Sequence, residues 1–89
     1  MSDPLNTASG LEHRMQLAIQ AAQIGLRIGQ SPFGAAIFNP HGNLVVAAHN
    51  EVRAHVDPTA HAEVVAIRLA CRKVGSKSLK GFWLFATCE

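Results

Sequence analysis

Asp57-Pro58-Thr59-Ala60-His61-Ala62-Glu63 is the stretch on which the reading of this chain turns. Proline cannot continue a preceding element and threonine is a favoured cap, so Thr59 is expected to start a helix over residues 60–74. Val64, Ile67, Cys71 and Val74 recur at helical spacing and predict its apolar face. The small Ala62, Ala66 and Ala70 lie beside them and permit close approach to a neighbouring layer. Arg68, Arg72 and Lys73 favour the C-terminal end, where the macrodipole is negative, and Gly75 stops the helix.

Working outward from that helix, a Ser/Lys loop leads to Gly81-Phe82-Trp83-Leu84-Phe85-Ala86, expected as a third strand. It is apolar on both faces, the pattern of a central strand covered on both sides. Upstream, Phe33 to Phe38 and Leu44 to Ala48 are short apolar runs, and the turn formers Asn39-Pro40-His41-Gly42-Asn43 between them predict a hairpin. His49 to Asp57 is polar and is expected as a surface loop. Ser9-Gly10-Leu11-Glu12 has the spacing of a capping box and predicts a first helix to about Ile28, followed by Gly29 in a left-handed turn. Its apolar stripe is Leu11, Met15, Ala18, Ala22 and Leu26. Residues 1–8 are polar and expected to be flexible; residues 9–89 make one unit ordered helix, strand, strand, helix, strand. Two helices do not easily cover both faces of a three-stranded sheet, so this unit reads as the N-terminal part of a single larger domain.

Composition narrows the class. The chain has 89 residues, 48% hydrophobic and only 16% charged, which is too apolar for a disordered tail. No apolar run is long enough for a membrane span, and Met1-Ser2-Asp3-Pro4 has no basic segment leading into an apolar core, so a cytoplasmic protein is expected. Net charge is a mild +2, with Arg72, Lys73, Lys77 and Lys80 gathered late. No aromatic residues interleave with that cluster, so it reads as a solvated helix end and loop in preference to an RNA surface. Cys71 and Cys88 do not make a disulfide framework and are expected as inert core thiols.

His61 and Glu63 carry the candidate chemistry. Two residues is roughly 200° around a helix, so these side chains converge only on something placed over the helix N-terminus. There the free amides and positive dipole end favour a hydroxide or another anion. The pair has two readings: a cap with a dipole partner, or a metal ligand beside a proton carrier. The His-Glu-x-x-His pattern of zinc proteases is absent. His13 and His41 belong to polar surface and turn, and His49 and His55 flank the loop. A site made of His55, Asp57 and His61 is conceivable, although short loop spacing alone does not recommend it.

The wider frame decides between these readings. Ser31-Pro32-Phe33-Gly34-Ala35-Ala36-Ile37, Asn50, the run Asp57 to Glu63, Ala66-Ile67-Arg68 and Thr87-Cys88-Glu89 together resemble the zinc-dependent cytidine and deoxycytidylate deaminase superfamily. Within it the likeness is to bacterial guanine deaminases and the related tRNA adenosine deaminases. The resemblance implies a three-layer α/β/α sandwich, here ending after the third strand, and hydrolytic removal of an exocyclic amine from a nucleobase or nucleoside. It implies that His61 binds Zn2+, that Glu63 is the general acid/base, and that Asn50 and the Ala62 amide hold the base while Phe33 walls the pocket. Pro32-Phe33-Gly34-Ala35 favours guanine to xanthine. The alternative is adenosine to inosine in tRNA, with Arg53 to Asp57 and the late lysines holding RNA.

The family's Pro-Cys-x-x-Cys half, which supplies two of three protein zinc ligands, is not in this sequence, and Cys88 precedes its place. Zinc on one histidine is expected to be weak, and the 89 residues alone are expected to be catalytically inactive. Full-length members of the family are expected to be homodimers, but a second copy of this chain supplies no missing cysteine. The strand at Phe82 to Phe85 is expected to expose an edge and one face, which favours pairing with another chain.

Overall fold

The first helix begins slightly earlier than the Ser9–Glu12 spacing suggests. In the computed structural model, which describes residues 7–87, Thr7 is the N-cap of α1 (Ala8–Arg27) and its hydroxyl accepts from the Gly10 amide at 3.1 Å. Residues 1–6 of the expected flexible terminus, and Cys88 and Glu89, lie outside the described residues. The apolar stripe expected for α1 is also displaced. Leu11 and Leu26 are exposed, and the buried face is Gly10, Arg14, Ala18, Ala21, Ala22 and Gly25. Small residues suit this face because the helix backbone lies directly on the sheet. A Cβ at Gly34 would run into the Ala18 carbonyl oxygen and the Ala22 amide nitrogen.

The hairpin forms as expected, with β1 at Gly34–Phe38 and β2 at Leu44–His49. Asn39 shapes its turn by accepting from the amides of His41 and Asn43, and Gly42 takes the positive φ of 86°. Beneath it the buried Arg14 donates to the carbonyls of Gly10 and Gly42, both at 3.1 Å, and its guanidinium lies 5.4 Å from the centre of the Phe38 ring. This joins α1 to the turn. The expected surface loop after β2 contains a short helix, α2 (Val52–His55), which ends in a left-handed Val56 at φ 50°.

The next helix, α3 (Ala62–Val74), starts two residues later than expected because His61, not Thr59, is its N-cap. Its buried face is Ala62, Val65, Ala66 and Ala70, so the alanines form the contact and the larger Ile67 and Val74 are 42% and 40% exposed. Cys71 is half-buried, in contrast to the core thiol expected. Gly75 ends the helix at φ 71°, as the sequence implies.

The last strand, β3 (Trp83–Ala86), pairs antiparallel with β1, giving the sheet order β2-β1-β3. β1 is therefore the central strand and is buried throughout, while the strand expected at the centre is at the edge. Trp83 and Leu84 are 38% and 47% exposed. Alternation along β1 divides the core: Ala35 and Ile37 pack towards α3, Ala36 and Phe38 towards α1. Phe85 meets Phe38 edge-to-face at 5.5 Å on the α1 side. One helix on each face makes the α/β/α sandwich. No helix among the described residues is long and apolar enough to cross a membrane.

Candidate active site at the start of α3

Backbone hydrogen bonds bring three separate segments to the N-terminus of α3. The Asn50 amide donates to the Phe33 carbonyl at 2.9 Å, just before β1 and just after β2. One residue on, the Glu51 amide donates to the Ala60 carbonyl, also at 2.9 Å. The second bond closes residues 52–59 at their neck and fixes the approach to His61. Phe33 packs half-buried against the cluster that contains Ala60 and Ala62, which are 1% and 2% exposed.

Asn50 is 4% exposed, and its roles are divided by its geometry. Its Oδ1 accepts from the Val52 amide at 3.0 Å and so starts α2. A backbone amide can only bond the carboxamide oxygen, which leaves Nδ2 as the donor; among the described residues it donates to no protein group. His49 places Nδ1 3.0 Å from the Asn50 carbonyl oxygen and its Cβ against Gly25, which holds the end of β2 against α1.

His61 is exposed, with extended backbone at φ −67° and ψ 157°, and its side chain makes no bond to the helix amides. Its carbonyl accepts from Val65, which begins the helical ladder. The amides of the first turn, Ala62 and Glu63 among them, therefore lack a side-chain cap. Glu63 is half-buried in that same turn.

The segment leading to His61 is held by a clamp that the sequence pattern does not suggest. Asp57 Oδ1 accepts from the Thr59 amide at 2.9 Å and its hydroxyl at 2.7 Å, while Arg68 lies 3.6 Å from Oδ2 and donates to the Thr59 hydroxyl at 3.3 Å. These bonds from Thr59, followed by the Arg68 charge, hold the Asp57 carboxyl below its ordinary value of 3.8. Asp57-Pro58-Thr59 is thus an Asx turn, although the same residues also fit a helix cap. His55 is occupied elsewhere, with Nε2 2.6 Å from Glu51 Oε1.

The structure thus gathers Phe33, Asn50, Ala62, His61 and Glu63 around one helix start, and it dismantles the His55, Asp57, His61 alternative. Among the described residues no group of three His, Cys, Asp or Glu side chains is placed to hold a metal ion. A catalytic zinc normally needs three protein ligands, so these residues do not by themselves make a zinc site.

An α/β/α sandwich with a buried asparagine and a His-x-Glu helix start defines a domain of the nucleobase-deaminase type. The chain belongs to the cytidine and deoxycytidylate deaminase family: the family's zinc-binding region matches residues 9–89. It is 40% identical over 80 residues to a tRNA-specific adenosine deaminase of Aquifex aeolicus, covering 90% of this chain and 52% of that one. It is 36% identical over 85 residues to a guanine deaminase of Bacillus subtilis, covering 96% and 52%. The crystal structure of guanine deaminase from Bacillus subtilis superposes with a TM-score of 0.82 at 39% identity, over 88% of this chain and 50% of that one. The chain spans about half the length of these deaminase relatives.

Proposed function

We propose that this chain carries the base-binding and proton-transferring half of a zinc-dependent hydrolytic deaminase acting on guanine. In that reaction water replaces the exocyclic amine, giving xanthine and ammonia. Asn50 Nδ2 donates to an acceptor on the purine, the Ala62 amide bonds the base carbonyl or ring nitrogen, and Phe33 walls the pocket. Glu63 takes a proton from the attacking water and delivers it to the leaving amine. His61 is one ligand of the zinc. The two cysteines of the Pro-Cys-x-x-Cys half come from outside residues 7–87, so the 89 residues alone neither hold zinc well nor turn over substrate.

The single observation that carries this reading is Asn50. It is a buried residue whose carboxamide oxygen is committed to Val52, and whose backbone is tied to Phe33 one residue before the bond that fixes the approach to α3.

The tRNA-specific relatives support a second reading, adenosine deamination in RNA. The placement of the basic residues weighs against it. Arg72, Lys73, Lys77 and Lys80 begin towards the far end of α3, with Arg72 about 16 Å along the helix from His61. Lys73 is bonded to the Val45 carbonyl, and Arg53 to the Gly29 carbonyl.

A chimaera tests both readings. Residues 9–87 replace the matched part of the Bacillus subtilis guanine deaminase, and ammonia release is measured from guanine and from adenosine in an anticodon stem-loop. Release from guanine, abolished by Glu63→Gln, is expected. Release from the RNA alone would transfer the assignment to the second reading.

A further inference from the structure

His49 is a half-buried side chain beside the site that the proposed reaction leaves unused. It ends β2 opposite Gly34 of β1. Residues paired across an antiparallel ladder share a face, so its side chain lies on the α1 side of the sheet with the contact to Gly25. α1 makes room for it there. A Cβ at Gly25 would stand 2.8 Å from His49 Cβ and 2.9 Å from Cγ, so the imidazole rests against bare helix backbone. Seated in this way, Nδ1 lies 3.0 Å from the carbonyl oxygen of the next residue, Asn50. A carbonyl only accepts, so Nδ1 carries the hydrogen and Nε2 the lone pair of the neutral ring.

What this bond holds is a single peptide plane. The Asn50 carbonyl and the Glu51 amide belong to one rigid unit. Its oxygen accepts from His49, and its N–H donates to the Ala60 carbonyl at 2.9 Å. The plane is therefore clamped at both ends, on the α1 side by His49 and on the α3 side by Ala60. Asn50 carries the first end, and the second is bonded one residue before His61. Of the hydrogen-bonding groups of Asn50, the amide is committed to Phe33, Oδ1 to Val52 and the carbonyl to His49. The remaining group, Nδ2, is the one assigned to the base. Rotation of the plane would turn that side chain and draw the His61 segment with it.

We propose that His49 is a positioning residue for base binding: its Nδ1–H, seated on Gly25, locks the Asn50–Glu51 peptide and so keeps Asn50 and His61 in register. The proposal rests on Asn50 as the group that holds the base, as assigned above. His49 acts through Asn50 and needs no contact with the base itself. Filling the space beside Gly25 calls only for a side chain of suitable size, whereas holding the peptide plane calls for the donor at Nδ1.

Two variants separate the donor from the bulk. His49→Leu fills the seat and removes the donor, and His49→Asn restores a donor near the place of Nδ1. In the full 89-residue chain, hydrogen exchange is followed by NMR at the Glu51 amide. The Gly42 amide, bonded to Asn39 in the hairpin turn, is the reference for general loosening. His49→Leu is expected to speed exchange at Glu51 about fivefold or more with Gly42 unchanged, and His49→Asn to restore it. Nitrogen chemical shifts of the neutral parent ring are expected to place the hydrogen on Nδ1. In the chimaera, His49→Leu is expected to raise KM for guanine about fivefold with kcat held within about twofold, and His49→Asn to recover the parent KM. Equal acceleration at Glu51 and Gly42, a hydrogen on Nε2 of the neutral ring, a loss of kcat at unchanged KM, or an asparagine variant no better than leucine would each overturn the proposal. A parent chimaera inert on guanine counts against the reaction instead, and the exchange pattern, which needs no substrate, then decides the clamp on its own.

Discussion

Replacing Gly34 by alanine is a direct test of how α1 is seated. The added Cβ meets the Ala18 carbonyl oxygen and the Ala22 amide nitrogen, both backbone atoms of one helix that cannot rotate away. Ala18 and Ala22 are 0% and 6% exposed, so relief requires moving the helix off β1 by about an ångström in a well-packed layer. Overpacking of this kind typically costs about 1–3 kcal/mol, and the backbone location of the clash puts Gly34→Ala at the upper end. For a domain of this size that is a fall in Tm of roughly 12–20 °C. The measurement is thermal unfolding of the 89-residue chain followed by circular dichroism, with Gly29→Ala as the comparison. Gly29 has a φ of 87°, and a Cβ added there would meet nothing within 4 Å, so that variant carries left-handed strain without a clash and costs about 1–2 kcal/mol. A Gly34→Ala chain that melts within about 2 °C of its parent, or above Gly29→Ala, would refute the close seating of α1 on β1.

Asn50→Asp keeps an acceptor for Val52 but replaces the Nδ2 donor with a carboxylate at a buried position; it should lower stability by about 1–3 kcal/mol and raise KM for guanine about tenfold or more in the chimaera, measured by ammonia release. Asn50→Leu leaves the Val52 amide unpaired and should lower stability by about 1–3 kcal/mol in denaturant titrations. The Asp57 clamp has a folded pKa below the ordinary 3.8, so its contribution is fully present above that value and is lost as pH falls through the folded pKa. Exchange at the Thr59 amide should therefore be unchanged by Asp57 titration between about pH 5 and 8 and rise only in stronger acid, after correction for intrinsic rates. Lys73→Met should free the β2 edge, cost about 1 kcal/mol in stability and increase light scattering on concentration.

Much of this architecture is legible in local chemistry. The hairpin turn at Asn39 to Asn43 and the stop at Gly75 depend on residues whose backbone preferences act over a few positions, and both form as expected. Burial is less legible. The faces of α1 and α3 that carry Leu11, Leu26, Ile67 and Val74 look apolar, but close helix–sheet approach is set by volume as well as hydrophobicity, and the alanine and glycine faces win. β3 illustrates the opposite limit: an apolar pattern on both faces records what the strand is built to meet, while its position is set by which partners are present. At the site, His61, Glu63, Asn50, Ala62 and Phe33 are found together because resemblance, not spacing, joins them. The Asp57–Thr59–Arg68 clamp is hidden in the sequence because Thr59 matches a helix cap as well as it matches the turn it serves, and Arg68 reaches it only once the helix is folded.

The bond between Glu51 and Ala60 has a further consequence for how this site varies. Residues 52–59 leave and rejoin the scaffold at one point, with their tip at Val56 90% exposed. Its ends are held by the Asn50–Val52 bond and by the Asp57–Thr59 turn, so change in length and side chain is confined to the tip around Val56, while Asn50 and His61 stay in register. Loops closed in this way are tolerant ground for insertion and redesign. Variation at that tip is therefore uncoupled from the backbone that places Asn50 and His61.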